Sequence, residues 1–201
     1  MKKILKRVGF CACFAALAWI WGLLADRETL NEELLRLHVV ADSDSAADQD
    51  IKLRVRDAVL ASISENLANI GDFSQAETYI RENLPKLEQV ANDTLKMLGV
   101  SDEAVVTLQK EVFDTRVYDT FTLPAGVYEA LRITIGSGEG KNWWCVVFPT
   151  LCVPATSEGF EDVAAGAGFP ESLTKSLEGE YEIRFYLLDL LGKLEGYLFT
   201  P

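Results

Sequence analysis

From Val127 to Ile135 the chain alternates, with Val127, Glu129, Leu131, Ile133 and Ile135 on one side and Tyr128, Ala130, Arg132 and Thr134 on the other. A period of two is the mark of a strand with two different faces. Trp143 to Phe148 is apolar almost throughout, as expected of a strand covered on both sides. Between them Gly136-Ser137-Gly138-Glu139-Gly140-Lys141 supplies the glycines a reversal needs. The pattern predicts a β-hairpin with a long glycine loop, its second arm a central strand.

Leu34 to Ala41 reads as a further strand. Ile51, Val55, Ala58, Val59, Ile63 and Leu67 then recur at helical spacing, behind a capping box Ser45-Ala46-Ala47-Asp48, which predicts a helix over about 46–68. A second helix is predicted from Ser74 to Asn83. Pro85 either kinks one long helix or starts another, and the stripe ends at Gly99, which suits a C′ position. Val105 to Phe113 predicts a strand, and Asp114 to Pro124 a loop. Ala155 to Glu180 reads as surface loop with some local helix, and Tyr181 to Leu194 as a C-terminal helix, with a strand from Tyr181 as the competing reading. The order β-α-α-β-β-β-α predicts an α+β fold, a single mixed sheet with helices packed on it.

The first residues differ in kind. Lys2, Lys3, Lys6 and Arg7 precede Val8 to Ala25, which carries no charge. A basic flank followed by an apolar run is the layout of a signal peptide or membrane anchor, with the remainder exported. The expected division is therefore 1–25 signal or anchor, 26–33 linker, 34–153 core domain, and 154–201 loop and helix on or behind that core. The whole chain has 19 basic and 31 acidic residues, a balance of −12. Setting aside the four N-terminal bases makes the exported part more acidic still, at −16. Such a surface repels nucleic acid and anionic membrane faces, so membrane contact is expected only through the N-terminal segment.

Candidate chemistry is sparse. Asp42, Asp44, Asp48 and Asp50 cluster, but a calcium loop begun at Asp42 would place Ala47 and Leu53 where glycine and glutamate belong. Short acids at a strand-to-helix turn otherwise serve free amides and the positive helix end. The Gly136–Lys141 loop lacks the first glycine and the hydroxyl residue of a P-loop. His38 is the only histidine, so no histidine-rich zinc site can form. A His38–Cys145 dyad would make an exported thiol hydrolase, but apolar neighbours blunt that thiol. Cys145 and Cys152 either pair as a disulfide or stay as buried thiols. Trp143 and Trp144 must point to opposite faces of one strand. No cofactor motif is present.

Two blocks carry a resemblance. LRLHVVADSDSAADQ (35–49) with Lys52 and VRDAV (55–59), and LPAGVYEALRITIGSGEGKNWWCVVFPTLC (123–152), resemble the stage II sporulation protein R family. Departures are Asp42 for an asparagine, Thr150 for a proline and Asp114 for a proline. The resemblance implies a protein exported across the forespore membrane into the space between two membranes. There it would activate a membrane-embedded protease that processes a mother-cell pro-sigma factor, with no catalysis of its own. The expected partner is that receptor-protease. Candidate contacts are the loop residues Gly138, Lys141 and Asn142 with Trp143, Trp144 and Arg132, and the acidic turn Asp42 and Asp44 with His38. The competing classes are the His38/Cys145 hydrolase and a cell-envelope binding domain.

Overall fold

In the computed structural model, residues 2–118, 121–149, 171–178 and 183–199 are described. Their elements are α1 (Lys2–Glu33), β1 (Leu35–Val40), α2 (Ala46–Ala68), α3 (Phe73–Met97), β2 (Ala104–Phe113), β3 (Arg116–Val117), β4 (Thr122–Leu123), β5 (Gly126–Ile135), β6 (Asn142–Phe148), α4 (Glu171–Glu178) and α5 (Ile183–Phe199). The fold is α+β, with a mixed four-stranded sheet in the order β2-β5-β1-β6 and a separate β3–β4 pair.

The expected hairpin does not form. β1 lies between its two arms, parallel to β5 and antiparallel to β6. β6 is therefore an edge strand among the described residues, and β1 is central. The burial along each strand explains why. Every residue of β1 is buried, whereas β6 begins with exposed Asn142 and Trp143. Bridging two inter-strand gaps means crossing about 10 Å, and the six residues from Gly136 to Lys141 reach about 20 Å when extended. The loop can thus pass over the end of β1.

Two cores follow from the two sheet faces. Leu35, Leu37 and Val39 of β1 join Leu131, Ile133, Val106, Cys145 and Val147 on one face. They are covered by Val55, Val59 and Ile63 of α2 and by Ile80, Leu87 and Leu95 of α3. The Ser45 hydroxyl caps α2 by accepting from the Asp48 N–H at 3.1 Å. α3 runs through Pro85 without interruption and stops at Gly99, whose φ is +73°. On the other face, Phe113, Tyr128, Ala130 and Val146 meet Leu30 and Leu34 from α1 and its exit, Leu123, and Leu188 of α5.

α1 also departs from expectation. Asp26 to Glu33, expected as a linker, continues the helix, and Asp26, Arg27 and Leu30 are buried. The reason is long-range. Arg27 donates to the Ala125 carbonyl at 3.0 Å and pairs with Glu195, while Asp26 pairs with Arg184. The expected C-terminal helix is present over Ile183–Phe199. Asp189 pins it by accepting from the Ala125 N–H at 2.8 Å and from Thr115, with Lys193 at 2.7 Å. Burial would raise this carboxyl, but the Ala125 amide, Lys193 and Thr115 hold it below the usual range.

Gly192 sets the closeness of that docking. A Cβ there would lie 1.6 Å from the Ala125 carbonyl oxygen, which is backbone and cannot step aside. Gly192→Ala is expected to cost about 1–3 kcal/mol, read as a lower urea midpoint by circular dichroism of the detergent-solubilised chain. Gly71→Ala, where an added Cβ meets nothing within 4 Å, should stay near wild type.

Candidate functional site

The acidic turn and the glycine loop, 95 residues apart in sequence, are clasped together over the end of β1. Asp42 Oδ1 accepts from the Ser137 N–H at 2.6 Å, and Asp44 Oδ1 from the Lys141 N–H at 2.7 Å. Backbone bonds run from Glu139 N–H to the Asp42 carbonyl at 3.1 Å and from Gly140 N–H to the Ala41 carbonyl at 2.9 Å. Gly136 has φ of +56°, and a Cβ on it would sit 2.3 Å from Asp42 Oδ1. The carboxylate thus occupies the space a side chain would need. Beneath the loop, buried Lys52 donates to the Lys141 carbonyl at 2.8 Å and to Gln49 at 2.6 Å. Burial first, then the nearby Arg56 charge, pushes that ammonium below its ordinary value, against the pull of Asp44. Two parts of the turn serve the helix instead, since Asp48 accepts from the Ser45 hydroxyl at 2.8 Å and from Ser43.

One row further down the sheet lies a layer on the second face. The register places His38 beside Arg132 on β5 and Trp144 on β6. His38 stacks on Trp144 with centroids 5.6 Å apart and 18° between planes. The Arg116 guanidinium also lies over the Trp144 ring, 3.6 Å from its centroid. His38 Nδ1 donates to Glu111 Oε2 at 2.6 Å, and Arg132 Nη1 lies 3.1 Å from Glu111 Oε1. Burial would raise the Glu111 carboxyl, but the His38 hydrogen bond and charge, with Arg132 and Gln109, outweigh it and hold the group low.

The sequence-derived candidates therefore divide. Asp42, Asp44, Gly138, Lys141 and Asn142 gather at the sheet end, and His38, Arg132 and Trp144 form the adjoining layer. Trp143 points to the opposite face, where the Arg56 guanidinium of α2 covers it at 4.2 Å. Glu111 and Arg116 were missed, and Lys52 was noted only within the family-like block. Glu111 meets His38 across 73 positions and Lys52 meets the Lys141 carbonyl across 89, and Arg116 reaches Trp144 from another strand, so no local spacing reveals these contacts. His38 and Cys145 do not meet. Cys145 pairs in register with Leu37 and packs in the core under α2 and α3, on the face His38 does not share. Cys145 is also disulfide-bonded, which removes its nucleophilic thiol; Cys152, the expected partner, lies outside the described residues. This overturns the dyad.

A cleft of about 470 Å³ lies at the other end of the sheet, lined by Glu32, Asp72, Glu77 and Glu129 with Lys110. Burial, then Glu77, pushes the Glu129 carboxyl above its usual value. Among the described residues no three His, Cys, Asp or Glu side chains are grouped so as to hold a metal ion.

The described residues form an α+β domain behind a helix long and apolar enough to cross a membrane, with two remote segments clasped together at one end of its sheet. Residues 31–158 match the family model for stage II sporulation protein R. The chain is also 39% identical over 185 residues to the Bacillus subtilis (strain 168) protein named stage II sporulation protein R, covering 82% of this chain and 83% of the relative. The chain belongs to the stage II sporulation protein R family, a family of sporulation proteins. No solved structure matches it.

The Glu111 cluster makes the fold acid-sensitive in a defined direction. Its folded carboxyl titrates below the ordinary value of about 4.5, so the unfolded chain binds the proton first as pH falls. The stabilisation is complete above about 4.5 and is lost as pH drops through the lower folded value. Urea midpoints taken from about pH 6 to about pH 3 should fall more steeply for wild type than for Glu111→Gln.

Proposed function

We propose that this protein is an exported sporulation signal that docks on a membrane-embedded protease and favours its active state. That protease then processes a mother-cell pro-sigma factor. The observation that carries the reading is the clasp of two otherwise remote segments, Asp42–Asp44 and Gly136–Lys141, into one shaped end of the sheet, within a family of sporulation proteins. A loop held by five or more bonds presents its exposed Ser137, Glu139 and Lys141 in one geometry, so little ordering is left to be done on binding. α1 is long and apolar enough to cross a membrane, which supports export through or retention in one.

Activation by binding has a required size. Taking a protease from about 1% to about 99% active needs a partner that binds the active state about 10⁴-fold more tightly. A signal of this kind needs no chemistry, only a surface that fits one state better.

The test is reconstitution of the full chain with membranes holding the protease and its sigma-factor precursor. Processing should appear only when the chain is added. The charge-reversed pair Glu139→Arg with Lys141→Glu should slow processing about tenfold while the melting curve stays unchanged. Processing that ignores the chain would sink the reading itself. Full activity in the reversed pair would move the docking surface away from the clasp.

A further inference from the structure

α5 breaks the usual rule for a helix on the outside of a domain. Its buried side is Leu188, Asp189, Gly192 and Gly196. The side facing away should then be polar. Instead Ile183, Tyr186, Leu190, Leu194, Tyr197 and Leu198 stand exposed there, Tyr197 and Leu198 at 83%. They recur at steps of three and four along the whole helix, about 25 Å. Lys193 is the one charged residue among the exposed ones of this helix. An uncovered apolar stripe of this length marks a surface that meets something other than water.

Its place in the fold says what. The uncharged run of α1 ends at Ala25, and Asp26, the next residue, pairs with Arg184 in the first turn of α5. Arg27 and Asn31 both reach Glu195. α5 is therefore fastened across α1 within the first turn or so beyond the apolar run. Trp21 and Leu24, at the end of that run, are themselves exposed and apolar. On the reading that α1 crosses a membrane, for which it is long and apolar enough, the two apolar surfaces adjoin where it leaves the bilayer. The zone there is the headgroup layer, in which an in-plane helix sinks its apolar face about 5–10 Å. Two tyrosines and a lysine among leucines and isoleucine suit that zone. A sugar-binding face would instead set its aromatics among hydrogen-bonding side chains.

We propose that the exposed stripe of α5 lies in the lipid headgroup layer beside α1. This is a second membrane contact, where only the N-terminal segment was expected to make one. It lays the domain against the bilayer by two elements in place of a single tether. The contact rests on α1 spanning a membrane and is otherwise independent of the signalling role above.

The test uses the full chain carrying Cys11→Ser and Cys13→Ser in vesicles of phosphatidylethanolamine and phosphatidylglycerol. A thiol introduced by Tyr197→Cys should react with a membrane-impermeant maleimide about tenfold more slowly than one introduced by Met97→Cys. Met97 is 80% exposed at the end of α3, on the opposite face of the sheet. A bimane probe at position 197, but not at 97, should be quenched by lipids with a nitroxide near the headgroup. Leu190→Glu with Leu194→Glu should restore fast labelling, with the helical circular dichroism kept. Equal labelling rates with no quenching would overturn the proposal. So would shielding that appears only when peptidoglycan fragments or a second membrane protein are added.

Discussion

The structure depends on one strand being sealed on every side. β1 has neighbours on both edges and helices or side chains over both faces, and all six of its residues are buried. Leu35, Leu37 and Val39 meet this constraint simply, by packing under α2 and α3. The alternate residues do not, because they are Arg36, His38 and Val40. A cation and an imidazole delivered to a sheet interior must find partners there or destabilise the fold. The second face is arranged around that need.

Arg36 is fully buried, and its only side-chain hydrogen bond among the described residues is to the Tyr118 hydroxyl at 3.0 Å. Its charge is met by rings instead. The guanidinium lies 3.9 Å from the Phe113 centroid and 5.0 Å from that of Tyr128. Aromatic faces attract a desolvated cation by about 2 kcal/mol or more. Burial pushes the Tyr128 phenol up to about 12 despite this nearby cation, so the ring stays neutral, and its hydroxyl donates to the Pro124 carbonyl at 2.8 Å. His38 is handled by the opposite means, through the Glu111 carboxylate and the Trp144 ring. Glu111 on β2 is in register with Tyr128 on β5, so it reaches His38 on β1 diagonally across β5, past the row that pairs Ala130 with Arg36.

What could be read from the chain is what is local. The period of two gave β5, the 3.6 period gave α2 and the first part of α3, whose passage through Pro85 it left open, and Ser45-x-x-Asp48 gave a cap that forms as expected. Each depends on residues within one or two turns. The strand order was not legible, because a glycine loop between two strands marks a reversal without saying whether a third strand fills the space. That LRLHVV is enclosed throughout while NWWCVVF starts exposed was hidden in the sequence, where Arg36 and His38 make the first run look half polar. The same limit applies to Asp26–Glu33. Its acids and arginine look like linker residues until Arg184 and Glu195 are brought alongside. Among the proposed contacts, the pairing of the acidic turn with the glycine loop needed the register of β1, while the unusual composition of both segments was visible from the start.

The clasp and the layer beneath it are mechanically continuous, and that continuity bears on how an irregular loop is kept in shape without rigid secondary structure of its own. The loop rests on Val40 and Thr134, which approach the would-be Cβ of Gly138. Thr134 accepts from Arg132 Nε at 3.1 Å, and Arg132 pairs with Glu111 and so with His38. A displacement of the loop would therefore have to break either its bonds to Asp42 and Asp44 or the ion pairs one row below. Irregular segments normally fluctuate because few bonds hold them. Here six loop residues are fixed from two sides, by carboxylates above the sheet end and by a charge network beneath it, so the loop's shape is set by the sheet it crosses.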